Sequence, residues 1–193
     1  MRKIIASTFV TLDGIMEAPG SNDPTLPGLR GWSEPYMTPE MGQLILDQME
    51  ASDGLLLGRV TYQAFAAFWP MMSADDPFAQ KMNGLTKYVV STTLQKTDWQ
   101  NSHLIKGNLV EEITKLKQQP GRNLAITGSG TLIQSLFECD LIDEYQFCIC
   151  PVVLGTGKRL FGNMGDKKTL KLVDTRTYDT GMIMLTYRPE KTA

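Results

Sequence analysis

Two glycine-bearing turns, each set between an apolar run and an amphipathic one, constrain this chain more than any other feature. The first lies in LLLGRVTYQAF, from Leu55 to Phe65, and the second in LAITGSGTLIQSLF, from Leu124 to Phe137. Each reads as a buried strand that stops at glycine and opens directly into a helix. Such a junction leaves backbone N–H groups unpaired at the helix start, where the helix dipole also favours negative charge. Two of them, about 70 residues apart, imply strand–helix units and a ligand whose two phosphates are gripped from both ends. The neighbouring side chains are of the right kind: a cation at Arg59 and hydroxyls at Thr61, Ser129 and Thr131. Each feature also has a plainer reading. Gly58 serves as an ordinary turn glycine, Arg59 as a solvated charge, and Ser129 and Thr131 as helix caps. Phosphate capture narrows the function to nucleotide chemistry without naming a reaction.

At 193 residues the chain suits one domain with a sizeable core. A net charge of −2 argues against a nucleic-acid partner, which needs a basic patch to neutralise backbone phosphates. The N-terminal MRKIIASTFVTLDG alternates as a strand does, with Ser7 and Thr8 interrupting its apolar stretch, so it does not read as a signal peptide. No apolar run approaches the ~20 residues a membrane helix requires. The expected location is the cytoplasm. Cys139, Cys148 and Cys150 cannot all pair, and Cys148 and Cys150 sit two apart in an apparent strand, so reduced, buried thiols are expected. The single histidine, His103, leaves no Cys/His spacing that resembles a metal site. It reads as a surface residue beside a short strand.

Along the chain, Lys3 to Val10 alternates as a first, central strand, and the Gly/Pro-rich stretch from Thr11 to Trp32 reads as a long loop. Pro39 opens a helix that Asp53-Gly54 ends, Leu55 to Leu57 forms a buried strand, and Thr61 to Phe68 is the next helix. Met71 to Thr86 reads as an irregular connection. Lys87 to Ser91 is a strand, Val110 to Gln118 a helix, Asn123 to Thr127 a strand and Thr131 to Phe137 a helix. Asp143 to Leu154 alternates as a long strand that turns through Gly155-Thr156-Gly157. Leu170 to Thr175 and Met182 to Tyr187 close the chain as strands joined near Asp179-Thr180-Gly181. Alternating strands and helices imply right-handed crossovers and a parallel sheet, and the final pair, with no helix between, implies an antiparallel addition. The expected fold is a three-layer α/β/α sandwich with a mixed, mostly parallel sheet and antiparallel C-terminal strands, in one domain over residues 1–193. Gly128-Ser129-Gly130 is only a fragment of the dinucleotide fingerprint G-x-G-x-x-G, whose third glycine position holds Ile133.

Four segments, in order and over almost the whole chain, resemble the dihydrofolate reductase-like family, and more closely the C-terminal reductase domain of the bifunctional riboflavin-pathway deaminase–reductase. They are TLDGIMEAPG from Thr11, LLLGRVTYQAF, KYVVSTT from Lys87, and ITGSGTLIQSLF followed by DEYQFCICPVVLGTGKRLF. The resemblance implies NADPH bound along the C-terminal edge of the sheet. Arg59 then faces the adenosine 2′-phosphate beside Ser91 and Thr92, a forked guanidinium suiting that dianion. Gly58, Thr61 and the helix Thr61 opens hold the pyrophosphate or support the nicotinamide-side turn. Gly128, Ser129, Gly130 and Thr131 cradle the pyrophosphate from the other side, and the Gly128–Ser129 peptide is a candidate for a cis bond. A homodimer is also implied.

The substrate, a small heterocycle, is expected between the loop after the first strand and the helix at Pro39. Met16, Glu17, Trp32, Tyr36 and Trp69 are its candidate walls, although aromatics at such places also serve as core. Folate reductases of this resemblance carry a carboxylate on that helix; here the stretch is Met41-Gly42-Gln43 and holds no acid. Asp13 is the candidate catalytic group, with bonding to its own turn as the alternative. Lys158 and Arg159 are either a phosphate subsite or a solvated basic turn. No H-x-E or P-C-x-x-C deaminase signature occurs. The expected activity is NADPH-dependent reduction of a pyrimidine- or pteridine-like substrate. The rivals are a non-catalytic nucleotide sensor, a true dihydrofolate reductase and a scaffold without ligand.

Overall fold

The computed structural model describes residues 1–21, 25–26, 28–162, 165 and 167–190. The part of the Gly/Pro-rich loop at 22–24 and 27 lies outside the described residues. Among the described residues there are eight strands: β1 (Ile4–Thr11), β2 (Ser52–Gly58), β3 (Thr86–Val90), β4 (Ser102–Ile105), β5 (Asn123–Thr127), β6 (Glu144–Cys150), β7 (Leu170–Thr177) and β8 (Ile183–Pro189). Five α-helices connect them: α1 (Pro39–Glu50), α2 (Arg59–Phe68), α3 (Pro77–Gly84), α4 (Leu109–Gln118) and α5 (Gly130–Glu138). The strands form one sheet in the order β4-β3-β2-β5-β1-β6-β8-β7. The first six run parallel, and β8 and β7 are antiparallel additions.

The alternation read in β1 has its physical cause in the two faces of the sheet. Ile4, Ala6 and Val10 pack with Leu56, Leu124 and Ile126 against Ile113 and Leu116 of α4 and Leu132, Ile133 and Leu136 of α5. On the other face, Leu55, Leu57 and Val89 meet Met49, Tyr62 and Met82 from α1, α2 and α3. Farther along that face, Cys148, Cys150 and Met184 pack with Trp32, Met41 and Tyr178. The result is the expected three-layer α/β/α sandwich.

Four local expectations need correction. Asp53-Gly54 does not end α1 but lies inside β2, which starts at Ser52. The Asp53 carboxylate pairs with the buried Arg2 guanidinium and accepts from the Arg122 N–H at 2.8 Å. A Cβ on Gly54 would fall 2.9 Å from the Tyr88 ring, so close strand packing, not a turn, requires this glycine. The stretch read as irregular contains α3, opened by Asp76, whose carboxylate accepts from the Ala79 N–H at 2.8 Å, with Pro77 in the first turn. That D-P pair was a legible start signal. The strand read through Leu154 stops at Cys150, because Pro151 has no N–H to continue the ladder. Finally, Cys139 is exposed, whereas Cys148 and Cys150 are buried. Burial pushes their thiols up to about 12 and about 11, which leaves them inert.

One buried charge organises the end of the sheet. Lys87 of β3 is fully buried, and its ammonium donates to the carbonyls of Met82 (3.1 Å) and Asn83 (2.9 Å) at the C-terminus of α3. It also lies 4.1 Å from the centroid of the Trp99 ring. Burial alone lowers its pKa from 10.5 to about 8. Between those values the unfolded chain binds a proton that the folded chain does not, so this group makes stability rise with pH. Denaturant unfolding at pH 7 and pH 9.5 is expected to show wild type gaining on a Lys87→Met variant as pH rises. A constant gap would mean that Lys87 titrates normally.

Candidate functional site

Because β2 and β5 are parallel neighbours, the two glycine turns emerge side by side on one rim. They are also bonded to each other. The Gly58 N–H donates to Ser129 Oγ at 3.1 Å, and the Ser129 N–H donates to Thr61 Oγ1 at 3.0 Å. Gly128 and Ser129 are both left-handed, with φ of 64° and 55°. This path brings the Ser129 N–H round to Thr61. Glycine accepts it freely at 128, and Ser129 accepts it at some cost in strain. The described residues contain no cis peptide bond, so the Gly128–Ser129 peptide is trans and the left-handed pair makes the turn instead.

Neither helix receives a side-chain cap: Gly58 has no side chain to offer α2, and Ser129 Oγ accepts from the Gly58 N–H and not from the first turn of α5. Gly58 caps α2 and Ser129 caps α5 without a side-chain bond to the first turn. The N–H groups of both first turns and both dipole ends therefore face the same space. Thr131 is exposed in the first turn of α5. Gly130 has a further reason to be glycine: the Met16 thioether lies where a Cβ would project.

The neighbouring strand ends complete the rim. Arg59 is exposed and donates to Gln63 Oε1 at 3.0 Å, which lays the guanidinium along α2. Ser91 is buried, and its hydroxyl accepts from the Thr93 and Leu94 N–H groups (3.2 and 3.0 Å), so it shapes its own turn while Thr92 stands exposed. The Ser91 N–H donates to the Ile105 carbonyl at 3.1 Å, and this brings Lys106 onto the rim. Lys106 is an exposed cation that donates to Gln95 Oε1 at 3.1 Å. Sequence reasoning passed over it because its strand is only four residues long. The parallel pairing of that strand is what reveals it.

At the β1 end, Asp13 and Glu17 act as clamps. The Asp13 carboxylate accepts from the Thr11 hydroxyl (2.6 Å) and from the N–H groups of Gly155 (2.8 Å) and Leu154 (3.3 Å). These bonds, the Thr11 hydroxyl first, hold its pKa down at about 2. Glu17 accepts from the Lys158 N–H at 3.0 Å and pairs with the Lys158 ammonium at 3.4 Å. Arg159 donates to the Asp13 carbonyl. Lys158 and Arg159 are thus engaged by the loop after β1. Trp32 is buried and donates to the Glu17 carbonyl at 2.7 Å; Tyr36 packs on the same cluster with Met41. Glu17, Trp32 and Tyr36 therefore stand together beside α1, whereas Met16 packs with the core on the α4/α5 face, against Gly130. Trp69 is not part of that group: it packs with Phe65 and Phe68 on the α2 side. Among the described residues, no cluster of His, Cys, Asp and Glu suits a metal ion.

The family model for the RibD C-terminal domain matches residues 2–184. The chain belongs to that family. YyaP, an uncharacterized protein of Bacillus subtilis (strain 168), is 35% identical over 191 residues, covering 96% of this chain and 94% of YyaP. Among solved structures, the putative riboflavin biosynthesis protein from Shewanella sp. PV-4 superposes with a TM-score of 0.76 at 25% identity, covering 98% of this chain and 99% of that one. Dihydrofolate reductase from Enterococcus faecalis, complexed with NADP(H), superposes with a TM-score of 0.57 at 14% identity, covering 98% and 97%, a likeness of fold. This chain thus shares its family with RibD C-terminal domains and its fold with dihydrofolate reductase. Among the described residues, no helix is long and apolar enough to cross a membrane.

An Asp13→Asn change is expected to speed amide exchange at Leu154 and Gly155 by about tenfold, the loss of one good hydrogen bond to a charged group. Hydrogen-exchange mass spectrometry of that segment reads it. Unchanged protection there would remove the clamp.

Proposed function

We propose that this RibD-type chain is a single-domain NADPH-dependent reductase. It transfers hydride to a pyrimidine- or pteridine-like heterocycle, resembling the riboflavin-pathway 5-amino-6-(5-phosphoribosylamino)uracil reductase, and works as a cytoplasmic homodimer. The observation that carries the reading is the pair of uncapped helix mouths on adjacent strand ends. Along the rim the order is Lys106, then Ser91 and Thr92, then Gly58, Arg59 and Thr61, then Gly128 to Thr131, then Asp13 and Met16. With strands ~4.8 Å apart, these five ends span roughly 19 Å, a track suited to an extended dinucleotide.

The residues fit the group in that order. Arg59 and Lys106 supply positive charge for a 2′-phosphate, with the Thr92 hydroxyl beside them. The first-turn N–H groups of α2 and α5 receive the pyrophosphate, and the Thr61–Ser129 bond keeps the two mouths at fixed separation. Met16 and the clamped loop after β1 bound the nicotinamide end. When bound, the reduced nicotinamide supplies the hydride. Met16 on one side and the wall of Glu17, Trp32 and Tyr36 on the other, joined through the loop after β1, orient a flat ring and exclude water. Asp13, held ionised by its three donors, is a positioning residue for that wall, so the proton for the substrate heteroatom comes from solvent.

The stretch Met41-Gly42-Gln43, with no acid, favours a second reading as a nucleotide-binding sensor. A steady-state assay of the reduced-nicotinamide absorbance, with pyrimidinone and dihydrofolate substrates in turn, separates the readings. Turnover of a pyrimidinone supports the reductase, tight binding without turnover supports the sensor, and dihydrofolate turnover overrules the argument from α1. A chain that shows no thermal shift with NADPH binds no such ligand. An Arg59→Ala variant is expected to weaken NADPH by about tenfold or more, the worth of a charge-assisted bond, while leaving NADH nearly unchanged. Titration calorimetry with both cofactors checks this, and equal losses would take Arg59 out of the 2′-phosphate site.

A further inference from the structure

The two edges of the sheet are unlike each other. At one end β4 has four residues, too short to template another strand. At the other end β7 has eight, pairs within the sheet only with β8, and is exposed from Lys171 onward. It displays Leu172 and Val173, 47% and 40% exposed, and near its other end Ile183 of β8, opposite Thr177, is 37% exposed. A long edge carrying apolar side chains is a surface that natural sheets normally cover.

The ladder with β8 determines which backbone groups of β7 face outward. The Tyr178 N–H donates to the Met182 carbonyl at 3.0 Å, and Arg176 and Asp174 stand opposite Met184 and Thr186. Bonding alternates along an antiparallel ladder, so Arg176 and Asp174 also turn their backbone toward β8. Thr175 and Thr177 turn theirs away from the sheet. The register shift between Leu172 and Asp174 limits a further ladder to the segment from Val173 to Thr177.

Charge selects among the registers left open to that segment. Asp174 and Arg176 lie two apart, both about half exposed, with Arg176 Nε 3.6 Å from Asp174 Oδ2. Suppose β7 of a second copy pairs antiparallel with a two-fold axis at Thr175. The outward groups of the two Thr175 residues then bond to each other. Asp174 faces Arg176 of the second copy, and Arg176 faces its Asp174, both in the closely spaced positions about 4.5 Å apart. Moving the axis one residue earlier sets Asp174 against Asp174; one later sets Arg176 against Arg176. Each alternative places like charges directly opposite, which is destabilising.

We propose that two copies of this chain join edge to edge through β7, centred on Thr175, with the Asp174–Arg176 quartet fixing the register and the two sheets becoming one. This rests on the homodimer reading above and names its interface. Sedimentation analysis of wild type is expected to give twice the chain mass of 21.5 kDa. Asp174→Arg alone and Arg176→Asp alone are each expected to raise the dimer dissociation constant by tenfold or more. The double exchange, which restores opposite charges, is expected to recover the dimer, and near-UV circular dichroism checks that each variant is folded. Separately, Thr175→Cys in a Cys139→Ser background is expected to cross-link two chains under air and a copper catalyst. A wild-type monomer overturns both this interface and the homodimer reading. A dimer indifferent to the single exchanges, or one that fails to cross-link, overturns the interface and leaves the homodimer standing.

Discussion

The reciprocal bonding between the two glycine turns is the constraint on which the rest of the site depends. The Gly58 N–H reaches Ser129 Oγ, and the Ser129 N–H reaches Thr61 Oγ1, so each helix opening uses the other's side chain. This exchange has two consequences. It ties β2 and β5 together above their last ladder bonds, and it withholds the Ser129 hydroxyl from the first turn of α5, while Gly58 has no side chain with which to cap α2. A hydroxyl that would ordinarily satisfy its own helix is committed sideways. The N–H groups left over stand at two neighbouring helix starts, with the Met16 thioether beside that of α5.

A second set of bonds fixes the floor of the site against its far wall. Asp13 holds Leu154 and Gly155, Glu17 holds Lys158, and Ile15 forms an isolated bridge with Arg159. These contacts join loops that follow β1 and β6, neighbours in the sheet. Met16, carried between the two clamps, is thereby pressed against Gly130 at the mouth of α5. The acidic side chains of this loop act by holding backbone in place. That is a different service from proton transfer, and the depressed pKa of Asp13 is its electrostatic signature.

Much of the fold was legible because its signals are local and repeat. Period-two alternation marked β1 and β6, helical spacing marked α4, and the strand–glycine–helix junctions marked α2 and α5 within a residue or two. Misreadings arose where a residue's reason lay far away in sequence. Asp53-Gly54 looked like a turn, but its partners are Arg2, Tyr88 and Arg122. The irregular stretch before β3 hid α3, a helix of low apolar contrast held largely by the buried Lys87 and by Trp99 with Asn83. Lys106 went unnoticed because β4 carries no strong pattern of its own and gains its place only by pairing with β3.

What the amino-acid order determined by itself was the kind of unit: parallel strands, crossover helices, and two helices that open at glycine directly from a strand. These follow from short-range sterics and from the spacing of apolar residues, which every segment carries within itself. Tertiary structure alone decided that both helix starts share one rim, that Ser129 Oγ accepts from Gly58 while Thr61 Oγ1 accepts from Ser129, and that Asp13 is a clamp. Strand order and hydrogen-bond partners are properties of residues brought together from 68 to 142 positions apart. No local pattern encodes which of several equally good donors and acceptors will meet.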